Sequence, residues 1–228
     1  MVDAVLLDWE GVLADTRDAR RVALLHALGE EGVHLDDAAY TELCEGFTSA
    51  VAAATALRLA GRTDATLADL VALRATRGFA TRIGKGFVLA TGAREVIEHL
   101  RINAPVGIVT AATRSETEFV LRLAGLEGSV GIIVSADDDA FEWRSGAAHR
   151  EAVTRMERQR RVDPQRVVVL AQSSVALSAA RFARLRTIAV SAPAHVALQA
   201  DGAVDGIAGL SVTDLARIAG IASVEQRS

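Results

Sequence analysis

Five short aliphatic runs punctuate the chain: Ala4–Leu7, Val106–Thr110, Gly131–Ser135, Val167–Leu170 and Thr187–Val190. None alternates with polar residues, so each predicts a strand covered on both faces. Between them apolar positions return every three to four residues, as in Glu116–Leu123 and Glu151–Arg160. That period marks helices with one buried stripe. Strands alternating with helices predict an α/β fold, a doubly wound parallel sheet with right-handed crossovers.

One stretch breaks the alternation. From Arg17 to about Gly84 there is no strand-like run, only helical periodicity interrupted at Gly32, Gly46 and Gly61. Asp36 or Asp37 offers an N-cap for one helix, and Thr63 or Thr66 for another. This pattern predicts two bodies: an α/β core from residues 1–15 and 86–228, and a helical subdomain from residues 16–85 inserted after the first strand. Linkers are expected near Asp15–Arg20 and Arg82–Thr91.

Composition narrows the class. The chain has 228 residues, half of them hydrophobic and 4% aromatic, enough for a sizeable aliphatic core. The formal net charge of -4 argues against a general attraction to nucleic acid or an anionic membrane. Arginines at 155, 158, 160, 161 and 166 are mixed with Glu157 and Asp163 and lack interleaved aromatics, so they read as a solvated helix face. Cys44 is the only cysteine, which rules out an internal disulfide and a thiolate metal site. Five scattered histidines show no zinc-ligand spacing. No signal peptide and no membrane span is apparent, and a cytoplasmic setting is expected.

The candidate chemistry lies where the first strand ends, in Asp8-Trp9-Glu10-Gly11. Strand alternation and a turn at Gly11 would bring both carboxylates into the crevice at the strand's carboxyl end, where open α/β sheets bind ligands. Two acids so placed suit a nucleophile and a general acid/base. Trp9, between them, is expected to pack beside the strand. Thr110 ends the second strand just before a helix, so its hydroxyl and the next amide, that of Ala111, suit an anion.

These residues resemble the haloacid dehalogenase (HAD) superfamily. Its first motif usually reads D-x-D-G-T-L-x-D-[ST]; this chain keeps Asp8, Gly11, Leu13, Asp15 and Thr16, with Glu10 for the second aspartate and Val12 for the threonine. The inserted helices then correspond to the family's helical cap, Thr91-Gly92-Ala93 to the re-entry into the core, and Gly46-Phe47-Thr48-Ser49 to a cap loop that sets specificity. Thr110 matches the second motif. Arg144 falls in the place of the third-motif lysine, and a planar guanidinium is not equivalent to a compact ammonium. The fourth motif, E-D-S-x-x-G-I-x-A-A, is tracked from Ala171 without a gap, but Ala171 and Gln172 replace both acids, and Ala176 and Arg184 replace family glycines.

The resemblance implies a phosphatase-like hydrolase acting on a small phosphorylated metabolite. Asp8 would be the nucleophile, Glu10 the acid/base, and Thr110, Ala111 and Arg144 the phosphate-binding group. It also implies Mg²⁺, for which this chain retains Asp8, the backbone carbonyl of Glu10 and the side chain of Gln172. Losing anionic ligands weakens such a site; Asp137, Asp138 and Asp139 are the nearest substitutes in sequence. The degenerate motifs leave a second reading open, a relative that binds a phosphorylated ligand or protein partner without turnover. A third, metal-free dehalogenation at Asp8, lacks the residues expected around the nucleophile.

Overall fold

A computed structural model describes residues 1–45, 47–138 and 145–222. The chain opens with β1 (Ala4–Asp8) and the two-residue β2 (Ala14–Asp15). Four helices follow: α1 (Arg17–Gly29), α2 (Asp37–Leu43), α3 (Ser49–Leu59) and α4 (Ala65–Gly84). After β3 (Val88–Leu89), helices and strands alternate: α5 (Ala93–Asn103), β4 (Val106–Val109), α6 (Arg114–Leu123), β5 (Ile132–Val134) and α7 (Ala147–Glu157). The remainder comprises β6 (Val167–Ala171), α8 (Ser174–Phe182), β7 (Arg186–Val190), α9 (Ala194–Ala197), β8 (Gly202–Val204) and α10 (Val212–Ile218).

Six strands form one sheet in the order β5-β4-β1-β6-β7-β8, and every neighbouring pair is parallel. The fold is the doubly wound α/β architecture that the aliphatic runs anticipate. Successive strand residues are divided between two apolar layers. Val5, Leu7, Val106, Ile108, Val168 and Leu170 join the layer containing Ile97 and Leu100 of α5. Ala4, Leu6, Val109, Val167 and Val169 join the opposite layer with Met156 of α7 and Leu177 of α8. Leu6 and Leu7 are buried on opposite faces, each stabilising the fold by roughly 1.5–3 kcal/mol. Burial on both faces explains why these runs show no polar alternation.

Helices α1–α4 bury a cluster of their own, including Leu24, Leu28, Tyr40, Leu57 and Val71. Asp36 caps α2, its carboxylate accepting from the Ala39 N–H at 2.8 Å. The cap of α4 is Asp64 and not the expected Thr63 or Thr66. Asp64 is the last residue with extended backbone, and its carboxylate accepts from the Thr66 N–H at 2.9 Å, whereas Thr66 already lies inside the first turn.

The connections are more ordered than linkers. β2 and β3 pair antiparallel, Ala14 opposite Leu89 and Asp15 opposite Val88, tying together the two ends of the helical insertion. α1 starts within the first expected linker and α4 runs into the second. Strand β8 also escapes the sequence pattern. It has three residues at the sheet edge, with Ala203 exposed, and so carries no aliphatic signature.

Candidate active site

The site is set by the point from which the sheet is wound in two directions. β1 lies between β4 and β6, so the chain ends of three adjacent parallel strands open on one crevice. Asp8 is the last residue of β1 and pairs in register with Val109 of β4. Thr110 is therefore one step beyond Asp8's neighbour, and Gln172 follows directly after β6.

Asp8 is nearly enclosed, with 8% of its surface accessible. Burial, and then the negative charge of Glu10, push its carboxyl well above the usual carboxylate range; Arg17 and the backbone N–H groups of Glu10 and Trp9 pull the other way. Beyond it the chain reverses tightly: the Leu13 and Ala14 N–H groups donate to the Trp9 carbonyl at 3.1 and 3.2 Å, and the Gly11 N–H donates to that of Ala14 at 3.0 Å. Gly11 sits at φ +84°, and a Cβ there would lie 2.4 Å from Gln172 Oε1, so only glycine fits. Trp9 is buried against the apolar layer, as expected.

Glu10 is held by Thr16, the last residue of the motif, and by Arg20, which lies outside it. Its Oε1 accepts from Arg20 Nε at 2.9 Å and from Thr16 Oγ1 at 3.1 Å. Its Oε2 has no protein partner among the described residues. Arg20 Nη1 donates to Glu116 Oε2 at 3.2 Å, and the guanidinium lies 4.4 Å over the Phe79 ring. Burial opposes Arg20's charge, but Glu10 and Glu116 raise its pKa. A single guanidinium from α1 thus ties the loop after β1 to Glu116 at the start of α6, against a ring of α4. Partners 10 and 96 positions from Arg20 leave no local signal, which is why sequence spacing misses Arg20 and Glu116.

Thr110 is buried, and its Oγ1 accepts from the Ala112 N–H at 3.1 Å. Most donors at the start of α6 are already used. Thr113 N–H donates to Glu116, Glu116 N–H to Thr113, and Arg114 N–H to Asp137 at 2.7 Å. The Ala111 N–H has no acceptor among the described residues, and Ala111 lines a cavity of about 290 Å³ with Glu10, Arg17, Arg20, Arg21, Tyr40 and Ala112. Tyr40, brought by α2, is a further residue that sequence reasoning misses. Burial, and then Glu10's charge, suppress its ionisation.

The β6 side is chemically sparse. Ala171 is fully buried within the apolar layer. Gln172 Nε2 donates to the Ser191 carbonyl at 3.2 Å, while its Oε1 is buried without a hydrogen-bond partner, against Gly11. That orphan oxygen, the Glu10 carbonyl and the Asp8 carboxylate are the ligands expected from the sequence for a divalent cation. One carboxylate and two neutral oxygens fit a tightly held Mg²⁺ poorly. Among the described residues no group of three or more His, Cys, Asp or Glu side chains is placed to hold a metal. Asp138 brings no substitute, because it accepts from Arg155 at 2.6 Å and from the Ser135 N–H at 2.7 Å. Asp139, Arg144 and Gly46 lie outside the described residues.

Comparison with known proteins bears on the family and the fold. A family model described as haloacid dehalogenase-like hydrolase matches residues 2–171, and the chain belongs to that family. No curated protein sequence matches it. Among solved structures, CbbY from Rhodobacter sphaeroides in complex with phosphate is 25% identical, with a TM-score of 0.81 over 94% of this chain and 99% of that one. A mutant of CbbY from the same organism, in complex with xylulose-(1,5)bisphosphate, is 26% identical with a TM-score of 0.77, again over 94% and 99%. A β-phosphoglucomutase from Clostridium difficile shares the fold at 15% identity, with a TM-score of 0.83 over 96% of this chain and 98% of that one.

Proposed function

We propose that the protein is a phosphatase-like hydrolase of small phosphorylated metabolites, with residues 16–85 acting as a cap over a core of residues 1–15 and 86–228. The observation that carries this reading is the placement of Asp8 at the end of β1 and of Thr110 just past the end of the adjacent parallel β4, beside a cavity lined by Glu10 and Ala111. The likeness to CbbY, which binds phosphate and a sugar bisphosphate, supports the substrate class. Nucleic acid and membrane have no role in it, and among the described residues no helix is long and apolar enough to cross a membrane. The cytoplasm is the compartment that fits a lone buried thiol, Cys44.

In this scheme an Asp8 oxygen attacks phosphorus while the bond from phosphorus to the ester oxygen breaks. Glu10 gives that leaving oxygen a proton through Oε2, the oxygen that Arg20 and Thr16 leave uncommitted. Glu10 then takes a proton from water, which attacks phosphorus, frees Asp8 and releases inorganic phosphate. The Ala111 N–H and the Thr110 hydroxyl hold non-bridging oxygens, and Arg144 balances their charge. Mg²⁺, where present, would be held by Asp8, the Glu10 carbonyl and Gln172 Oε1, and would add positive charge at the phosphoryl group. Glu10 reaches about one methylene further than an aspartate, and because acid/base chemistry depends on close placement, the change bears on rate and on the substrate selected.

A panel of p-nitrophenyl phosphate and sugar phosphates tests this. Turnover by the wild type that disappears in Asp8→Asn supports it, and turnover that survives the substitution removes Asp8 as nucleophile. The neutral β6 end and the clamped Glu10 favour a second reading, a binder without turnover. Calorimetry would then show phosphate-ester affinity without product, weakened by Thr110→Ala.

A further inference from the structure

The crevice carries cations that its motifs do not require. Arg17, Arg20 and Arg21 all line the cavity beside Glu10 and Ala111, together with the acids Asp15, Asp18 and Glu45. Two of them are committed: Arg20 to Glu10 and Glu116, and Arg21 to Asp18 and Asp37. Arg17 is not. Its side chain is 46% exposed, and among the described residues its one ion pair is a loose contact of 4.0 Å with Asp15. It opens α1, directly after Thr16, and its charge acts on Asp8. Across the crevice, the end of β6 presents a buried methyl group and a neutral amide where an anionic cation-binding pair would be needed.

Resting on the phosphatase reading, we infer that Arg17 adds a positive charge that helps neutralise the phosphoryl group at Asp8, so that phosphate esters bind this chain without a divalent metal. A guanidinium is always protonated and presents a planar fork matched to two phosphoryl oxygens. Arg17 is long enough to fold into the cavity from the first turn of α1, and it gives up no strong partner in doing so. The end of β6 lacks carboxylates, and the cavity beside Glu10 holds an uncommitted cation at the start of α1. These two differences compensate each other in charge, because fewer anions leave less for a metal to neutralise. One unit charge replaces two, so turnover is expected to be slower than with a fully coordinated divalent ion.

Calorimetric titration of inorganic phosphate into the full chain, once in excess EDTA and once in millimolar Mg²⁺, tests the inference. The two dissociation constants are expected to agree within about twofold. Arg17→Ala should weaken binding about 10- to 100-fold in both buffers, and Arg17→Lys should recover part of it. Arg17 is exposed and lacks a buried partner, so the variants should keep the wild-type melting temperature. Phosphate that binds only with Mg²⁺, or equally well to Arg17→Ala, overturns this inference and leaves the phosphatase proposal standing. Phosphate that binds in neither buffer overturns both.

Discussion

On one flank of the crevice β1 ends in Asp8 and Thr110 follows β4; on the other, β6 ends in Ala171 and Gln172 follows it. All three strands are four or five buried residues, aliphatic apart from Asp8 and Gly107, in register with their neighbours. The flanks differ at the last ladder residue of each strand and the residue that follows it. Burial of both sheet faces depends on volume and apolarity, so the sheet tolerates loss of the β6 acids without loss of β6. The chemistry depends on charge at the rim, where no packing constraint preserves it. The fold and the site thus answer to different physical terms within a few ångströms of each other.

Four substitutions would break or sharpen that contrast. The largest effect is expected from Asp8→Asn, which should lower turnover of p-nitrophenyl phosphate at least about 10³-fold if Asp8 is the nucleophile. Its effect on stability should have the opposite sign. The folded-state pKa of Asp8 is raised, so its contribution is favourable below the unfolded carboxyl pKa and is lost as pH rises through the folded value. At neutral pH the amide should therefore raise the melting temperature, and a variant that melts below the wild type would contradict the burial argument.

Next comes Arg20→Ala. It strands Glu10 and Glu116 and removes the tie between α1 and α6, at a cost of about 3 kcal/mol in denaturant unfolding. A change below about 1 kcal/mol would show the network behaving as an exposed ion pair. Gly11→Ala should cost roughly 2 kcal/mol, from the positive φ and the collision with Gln172. Refolding to full stability would mean that Gln172 swings aside freely. The smallest effect is expected from Gln172→Asp, which restores one carboxylate at the β6 rim. Mg²⁺ affinity, measured by calorimetry, should tighten about tenfold. An unchanged affinity would show that Asp8 and one added acid still do not make a metal site.

Much of the core is legible in the sequence because the same residues that form each strand also bury it. Val5 to Leu7 and Val167 to Leu170 are visible as runs since both faces are covered. Asp8, Glu10 and Thr110 are legible because they occupy fixed offsets from those runs. β8 is not, being short and half-exposed, and neither are β2 and β3, whose pairing joins residues 74 positions or so apart with two residues each. Asp64 as the cap of α4 is missed because three candidate capping residues stand within four positions, and only the backbone angle chooses between them.

The amino-acid pattern alone determined the parallel sheet, the helical insertion and the carboxylate at the first strand's end, because periodicity and burial are local properties of a chain. Only the tertiary structure decided that Glu10 is clamped by Arg20, that Glu116 completes the network and that Arg17 stands without a strong partner in the cavity beside Glu10. Those facts depend on which side chains meet across the crevice. Electrostatic partners are chosen by distance in space, and a sequence carries no measure of that distance until the sheet has closed.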